Sequence, residues 1–188
     1  MPDKSSPFYL TDAQISGLLD SSRTIAVVGI SDKLGRPSLT VTSYLKDHGY
    51  DVWPVNPLLK EVGHVPCYPD LLSLPGVPDL VVVFRKAADI PNVIDEAIQA
   101  KVSKVWIQEG IESPEGWEKA KSAGLSIAMN ICIMKEYMRL KASGGRYPQF
   151  HQNSVTISDQ SGSHQPGCAG VQIVIPDIFQ KCRKISHP

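Results

Sequence analysis

Residues 24–38 read TIAVVGISDKLGRPS. Thr24 to Val28 is a short β-branched run closed by Gly29, the composition of a strand buried on both faces of a parallel sheet. A loop then leads to Val41, Tyr44, Leu45 and His48, which share one helical face until Gly49 ends the helix. Upstream, Thr11 and Gln14 have capping-box spacing, and Ile15, Leu18 and Leu19 form a short apolar stripe. This pattern predicts a covering helix before the first strand.

Downstream the alternation continues. Asp51 to Val55 is a second strand, with Pro54 expected at its end because proline cannot donate to a ladder, and Asn56-Pro57 turns the chain. Residues 61–78 hold four prolines and no helical period, which predicts an irregular connection with a minor strand near Val65 to Tyr68. Leu80 to Phe84 is the third main strand, followed by a helix with Ile90, Val93, Ile94, Ala97 and Ile98 on its apolar face and Asp89 and Pro91 near its start. Lys104 to Ile107 is the fourth. Ser113-Pro114 opens a helix that Gly124 closes, and Leu125 to Met129 is the fifth strand. A last helix, Cys132 to Lys141, carries Met134, Tyr137 and Met138 on one side.

Strands and helices in strict alternation require right-handed crossovers and parallel pairing. The expected fold is α/β and Rossmann-like, a doubly wound parallel five-stranded sheet in a three-layer α/β/α sandwich over residues 1–141. Residues 142–188, dominated by Gly, Ser, Gln, His and Pro, are expected to form a disordered tail, with an edge strand at residues 171–175 (VQIVI) as the alternative.

Lys+Arg and Asp+Glu number 19 each, so no global field draws the chain to nucleic acid or an anionic membrane, and any anion site is local. No apolar stretch approaches the roughly 20 residues of a membrane span, and the first ten residues lack a signal-peptide pattern, so a cytoplasmic protein is expected. The four cysteines form no CxxC pair. His164, Cys168, Cys182 and His187 match no zinc spacing, so no metal site is expected. There is no GxSxG elbow, Walker loop or HExxH, so no catalytic constellation is found. Cys132, near a helix start, is a candidate reactive thiol, with a small buried hydrophobe as its alternative.

Ligands of doubly wound sheets bind outside the carboxyl ends of the strands. There the loop after the first strand offers Gly29 for a tight turn, the hydroxyls of Ser31 and Ser38 (Ser38 also a candidate helix cap), and the charges of Lys33 and Arg36. The alternative is a plain strand-to-helix loop. GxGxxG is absent, and the acidic residue that would accept from an NAD ribose is replaced by Asn56. An amide does not repel a ribose phosphate, so coenzyme A or NADP fits better than NAD, with Lys60 a candidate for that phosphate and a solvated loop lysine as the alternative. Phe84 can pack on adenine or on a pantetheine arm and Arg85 can pair with pyrophosphate, the alternative being a core phenylalanine and a surface cation, and Gln108-Glu109-Gly110 ends the fourth strand beside them.

The segments AVVGISDKLGRPS, YLKDHGYDVWPVNP, DLVVVFRKAADIPNVIDEAI, VWIQEGI and AGLSIAMNIC together resemble the stand-alone CoA-binding-domain family, itself similar to the first domain of the succinyl-CoA synthetase α subunit. The resemblance spans about residues 10–140. It implies a Rossmann fold holding coenzyme A, with Gly29, Ile30, Ser31, Arg36, Pro37 and Ser38 around the phosphates. Asn56, Pro57, Phe84, Arg85, Gln108, Glu109 and Gly110 would line the rest of the cleft. The ligase domain that bears a phosphorylated histidine has no counterpart, so ligase activity is not implied. The family commonly has Asp-Arg-Cys after the fifth strand where this chain has Asn130-Ile131-Cys132, and Asn130 joins the binding candidates with that contact in question. The expected function is therefore non-catalytic binding of coenzyme A or an acyl-CoA. The alternatives are an NADP-linked oxidoreductase and an interaction module that has lost its ligand.

Overall fold

A computed structural model describes residues 6–143. The tail readings, including the edge strand at 171–175, lie outside the described residues. Thr11 caps α1 (Asp12–Asp20) in a complete capping box with Gln14. Then follow β1 (Thr24–Val28), α2 (Pro37–Asp47), β2 (Asp51–Val55), β3 (Glu61–Val62), β4 (Val65–Pro66), β5 (Leu80–Val83) and a 3₁₀ turn at Ala87–Asp89. The chain continues through α3 (Ile90–Gln99), β6 (Lys104–Ile107), α4 (Pro114–Ser122), β7 (Ser126–Ala128) and α5 (Ile133–Ala142).

The five main strands form one parallel sheet in the order β2-β1-β5-β6-β7. The chain leaves β1 toward β2 and later leaves β5 toward β6 in the opposite direction. Right-handed crossovers therefore put α2 on one face and α3 and α4 on the other. β1 serves both layers: Ile25 and Val27 pack in the cluster containing α1, α2 and α5, and Ala26 and Val28 in the cluster containing α3 and α4. The order reverses between β1 and β5, which makes their carboxyl ends the switch point of the sheet.

Four sequence readings are corrected. Pro54 sits inside β2, paired with Val27. It is tolerated because β2 is an edge strand and the Pro54 side faces Tyr68, whose N–H donates to the Pro54 carbonyl at 2.9 Å. The connection has the minor strand expected near Val65 as β4, but it is not otherwise irregular: β3 pairs with β4 in a hairpin whose two-residue turn puts Gly63 and His64 at φ 55° and 64°. The buried face of α5 is Ile133, Glu136, Tyr137 and Leu140, while Met138 is half exposed, so the helix is rotated from the methionine stripe expected. In α3 the apolar face ends at Ala97, and Ile98 is partly exposed.

Candidate functional site

The loops after β1, β2, β5, β6 and β7 share the carboxyl edge of the sheet. At the switch point Gly29 has φ +80°, and a Cβ there would lie 2.6 Å from the Phe84 carbonyl oxygen and 2.8 Å from Arg85 Cδ. The two strand ends meet at a distance only glycine permits.

The loop that follows closes on itself. The Ser31 N–H donates to Ser38 Oγ at 3.1 Å and the Lys33 N–H to Ser31 Oγ at 3.2 Å. Ser38 is therefore buried in the first turn and does not cap α2, contrary to expectation. The N-cap is Arg36, without a side-chain cap, and Pro37 opens the helix. At the start of α2 the Leu39 and Thr40 N–H groups donate to the Arg36 carbonyl at 3.0 and 3.2 Å, and the exposed Lys33 and Arg36 stand beside this turn at the positive end of the helix dipole. Ile30 is fully buried and offers only its carbonyl, which accepts from Asn56 Nδ2 at 2.6 Å.

Asn56 is spent on the scaffold, since its Oδ1 also accepts from the Leu58 N–H at 2.9 Å. Asn130 does the same on the other side. It sits at φ 58°, accepts from the Gly110 N–H at 2.7 Å, and donates to Glu112 Oε1. An aspartate at 130 would face that carboxylate with a second one, which accounts physically for the amide at this position. Pro57 and Lys60 are exposed on the loop after β2, and Glu109 forms a solvent-exposed ion pair with Lys135 at 2.5 Å.

Two grooves flank the switch point. One, of about 190 Å³, is lined by Gly29, Pro57, Asp70, Arg85, Asp89, Asn92 and Glu96 among others. Arg85 Nε lies 3.6 Å from Asp89 Oδ2, so its charge is shared, and the lining carboxylates outnumber it. This groove disfavours a phosphate and suits hydrogen-bond donors such as ribose hydroxyls or an exocyclic amine.

The second groove, of about 330 Å³, is lined by Pro37, Val41, Phe84, Gln108, Glu109, Ile111 and Cys132. The starts of α2 and α5 border it, and neither helix has a side-chain cap. Gln108 is 3% exposed, and its Nε2 has no hydrogen-bond partner among the described residues. Buried amide donors are ordinarily satisfied.

The structure thus brings Gly29, Pro57 and Arg85 to one groove and Pro37, Phe84, Gln108 and Glu109 to the other. Ser31, Lys33 and Arg36 lie in the loop beside them, and Ser38 in the first turn of α2. Lys60, Asn56, Ile30, Gly110 and Asn130 line neither. Sequence reasoning missed Asp89, Asn92 and Glu96, although their spacing places them on one face of α3. It also missed Asp70, which no local pattern marks. Among the described residues no group of acidic, histidine or cysteine side chains can hold a metal ion, and no helix is long and apolar enough to cross a membrane.

Comparison with known proteins gives a consistent result. YneT of Bacillus subtilis is 35% identical over 121 residues, covering 64% of this chain and 90% of that protein. The structure of a hypothetical protein from Pyrococcus horikoshii OT3 superimposes with a TM-score of 0.70 at 38% identity, over 75% of this chain and 99% of that one. Acetate–CoA ligase [ADP-forming] I of Archaeoglobus fulgidus is 31% identical over 122 residues, covering 65% of this chain but only 17% of the ligase. The family described as the CoA binding domain matches residues 23–138, the span of all five strands of the parallel sheet, of α2, α3 and α4, and of the first half of α5. On that match, and on the sheet order and strand-end loops that underlie it, this chain belongs to the CoA-binding-domain family.

Proposed function

We propose that the protein is a non-catalytic binder of coenzyme A or an acyl-CoA, the phosphates lying at the loop 29–38 and the start of α2. The observation that carries this reading is a convergence at one sheet edge. The start of α2, without a side-chain cap and beside the exposed Lys33 and Arg36, adjoins an apolar groove whose buried Gln108 amide lacks a partner among the described residues. The ligand's phosphates answer the first, and a pantetheine arm, apolar with amide carbonyls, answers the second. The acidic groove on the other side of Gly29 accommodates the adenosine. The exposed Lys60 on the β2 loop stands ready for the ribose phosphate. The chain spans only 17% of the length of that ligase relative, and the proposal is confined to binding.

Thermal-shift titration tests the reading. Coenzyme A and 3′-phospho-ADP should raise the melting temperature, with stabilisation growing by about 1.4 kcal/mol per tenfold excess over the dissociation constant. Dephospho-CoA should do so more weakly and NAD least. An equal response to NAD contradicts the assignment, and no response to any of the four favours a fold retained without its ligand.

A further inference from the structure

The groove between α2 and α5 carries a thiol that simple binding leaves unused. Cys132 is a free, half-buried cysteine at the N-cap of α5 and lines the groove together with Gln108. The unpartnered Gln108 amide is an independent sign that the groove accepts a guest with a carbonyl oxygen, and the apolar surfaces of Val41, Phe84 and Ile111 suit a flexible carbon chain. Pro37, the first residue of α2, borders the same groove next to the phosphate-binding loop. An arm anchored there by its phosphates and running past Gln108 brings its terminal group to Cys132.

We propose that Cys132 is a thiol–disulfide exchange site, at which a coenzyme A moiety held in this groove becomes joined to the protein as a mixed disulfide. The proposal rests on the coenzyme-binding reading above. The co-reactant is a disulfide of coenzyme A. The Cys132 thiolate attacks one sulfur, the S–S bond breaks, and the second coenzyme A leaves as a thiolate that takes up the proton Cys132 gave up. The Cys132 sulfur is oxidised and the departing sulfur reduced, so the electrons balance, and free coenzyme A thiol reverses the step. Cys67 provides the internal contrast. Burial pushes its thiol up from the ordinary value despite its contact with the Asn56 carbonyl, and it lines neither groove at the switch point.

The test uses the reduced full chain, treated in parallel with coenzyme A disulfide and glutathione disulfide and followed by intact mass and peptide mapping. One adduct is expected, at Cys132, forming at least about tenfold faster with coenzyme A disulfide because the groove holds the reacting sulfur in place. Excess 3′-phospho-ADP should abolish that preference and Gln108→Leu should reduce it. Cys132→Ser should form no adduct, whereas a chain carrying Cys67→Ser, Cys168→Ser and Cys182→Ser should form it at the full rate. Equal rates with the two disulfides, or adducts at the other cysteines instead, overturn the proposal. If reduced wild-type protein is stabilised by coenzyme A but yields no adduct, the exchange site falls and the binding reading stands. If coenzyme A does not stabilise it, the binding reading itself has failed.

Discussion

Gly29 is the residue on which the site's geometry turns. A methyl group there meets the Phe84 carbonyl at 2.6 Å with φ at +80°, and neither strand end can retreat without losing its ladder. Gly29→Ala should cost about 2–4 kcal/mol in urea unfolding, the sum of a left-handed backbone penalty and overpacking, and should abolish any coenzyme A response. A loss under half a kilocalorie would show that the strand ends yield. At the opposite edge Asp79 ties β5 to β1. Its carboxylate accepts from the Arg23 N–H at 2.8 Å, the Thr24 N–H at 2.9 Å and the Thr24 hydroxyl at 3.0 Å. Partial burial pushes this acid up, but those bonds and the Lys104 charge outweigh it and hold it below its ordinary value. A depressed carboxylate contributes stability that is complete above the unfolded value of about 3.9 and disappears as pH falls through the folded value. The stability difference between wild type and Asp79→Asn should therefore be constant near neutrality and shrink below about pH 4 in urea titrations. A difference unchanged down to pH 3 would mean that these hydrogen bonds do not favour the ionised form.

The helices explain why so much of the fold is legible in the chain and where legibility stops. Capping at Thr11 and Ser113 and the β-branched runs of β1 and β5 are local signals, and the structure follows them. Pro54 and the methionine face of α5 read differently because each depends on a neighbour distant in sequence: the edge position of β2 in one case, the packing of α5 on α1 and α2 in the other. The contact between α3 and α4 shows the same dependence. Gly116 looks like an indifferent helical glycine, yet a Cβ there would lie 2.6 Å from Ile90 Cγ2 and 3.2 Å from Ser113 Oγ, the atom that caps α4. Gly116→Ala, which raises helix propensity by nearly 1 kcal/mol, should nonetheless destabilise the protein by about 1–2 kcal/mol. Chemical denaturation decides the sign, and a stabilised variant would show that α4 can shift away from α3.

Across the described residues the candidate chemistry concentrates at the carboxyl edge of the sheet because the strand order reverses between β1 and β5. That rule makes the strand-end residues readable without coordinates: Gly29, Phe84, Arg85 and Gln108 all border the two grooves. The internal use of Asn56 and Asn130 is not readable, since their partners Ile30 and Gly110 lie 26 and 20 residues away. Nor is the acidic character of one groove, which comes from the polar side of a helix whose apolar stripe dominates its pattern. A third groove, of about 340 Å³ between α1 and the starts of β6 and β7, lies at the amino edge with Lys104 and Lys121 on its rim, and it is the natural competitor for an anionic ligand. Amide chemical shifts recorded during titration with coenzyme A discriminate between the two edges directly. Saturable shifts are expected at Gly29, Ser31, Ser38, Arg85, Gln108 and Gly110, with Gly17, Ser21 and Ser126 unmoved. Shifts confined to those last three would place the ligand at the wrong end of the sheet and contradict the coenzyme-binding reading.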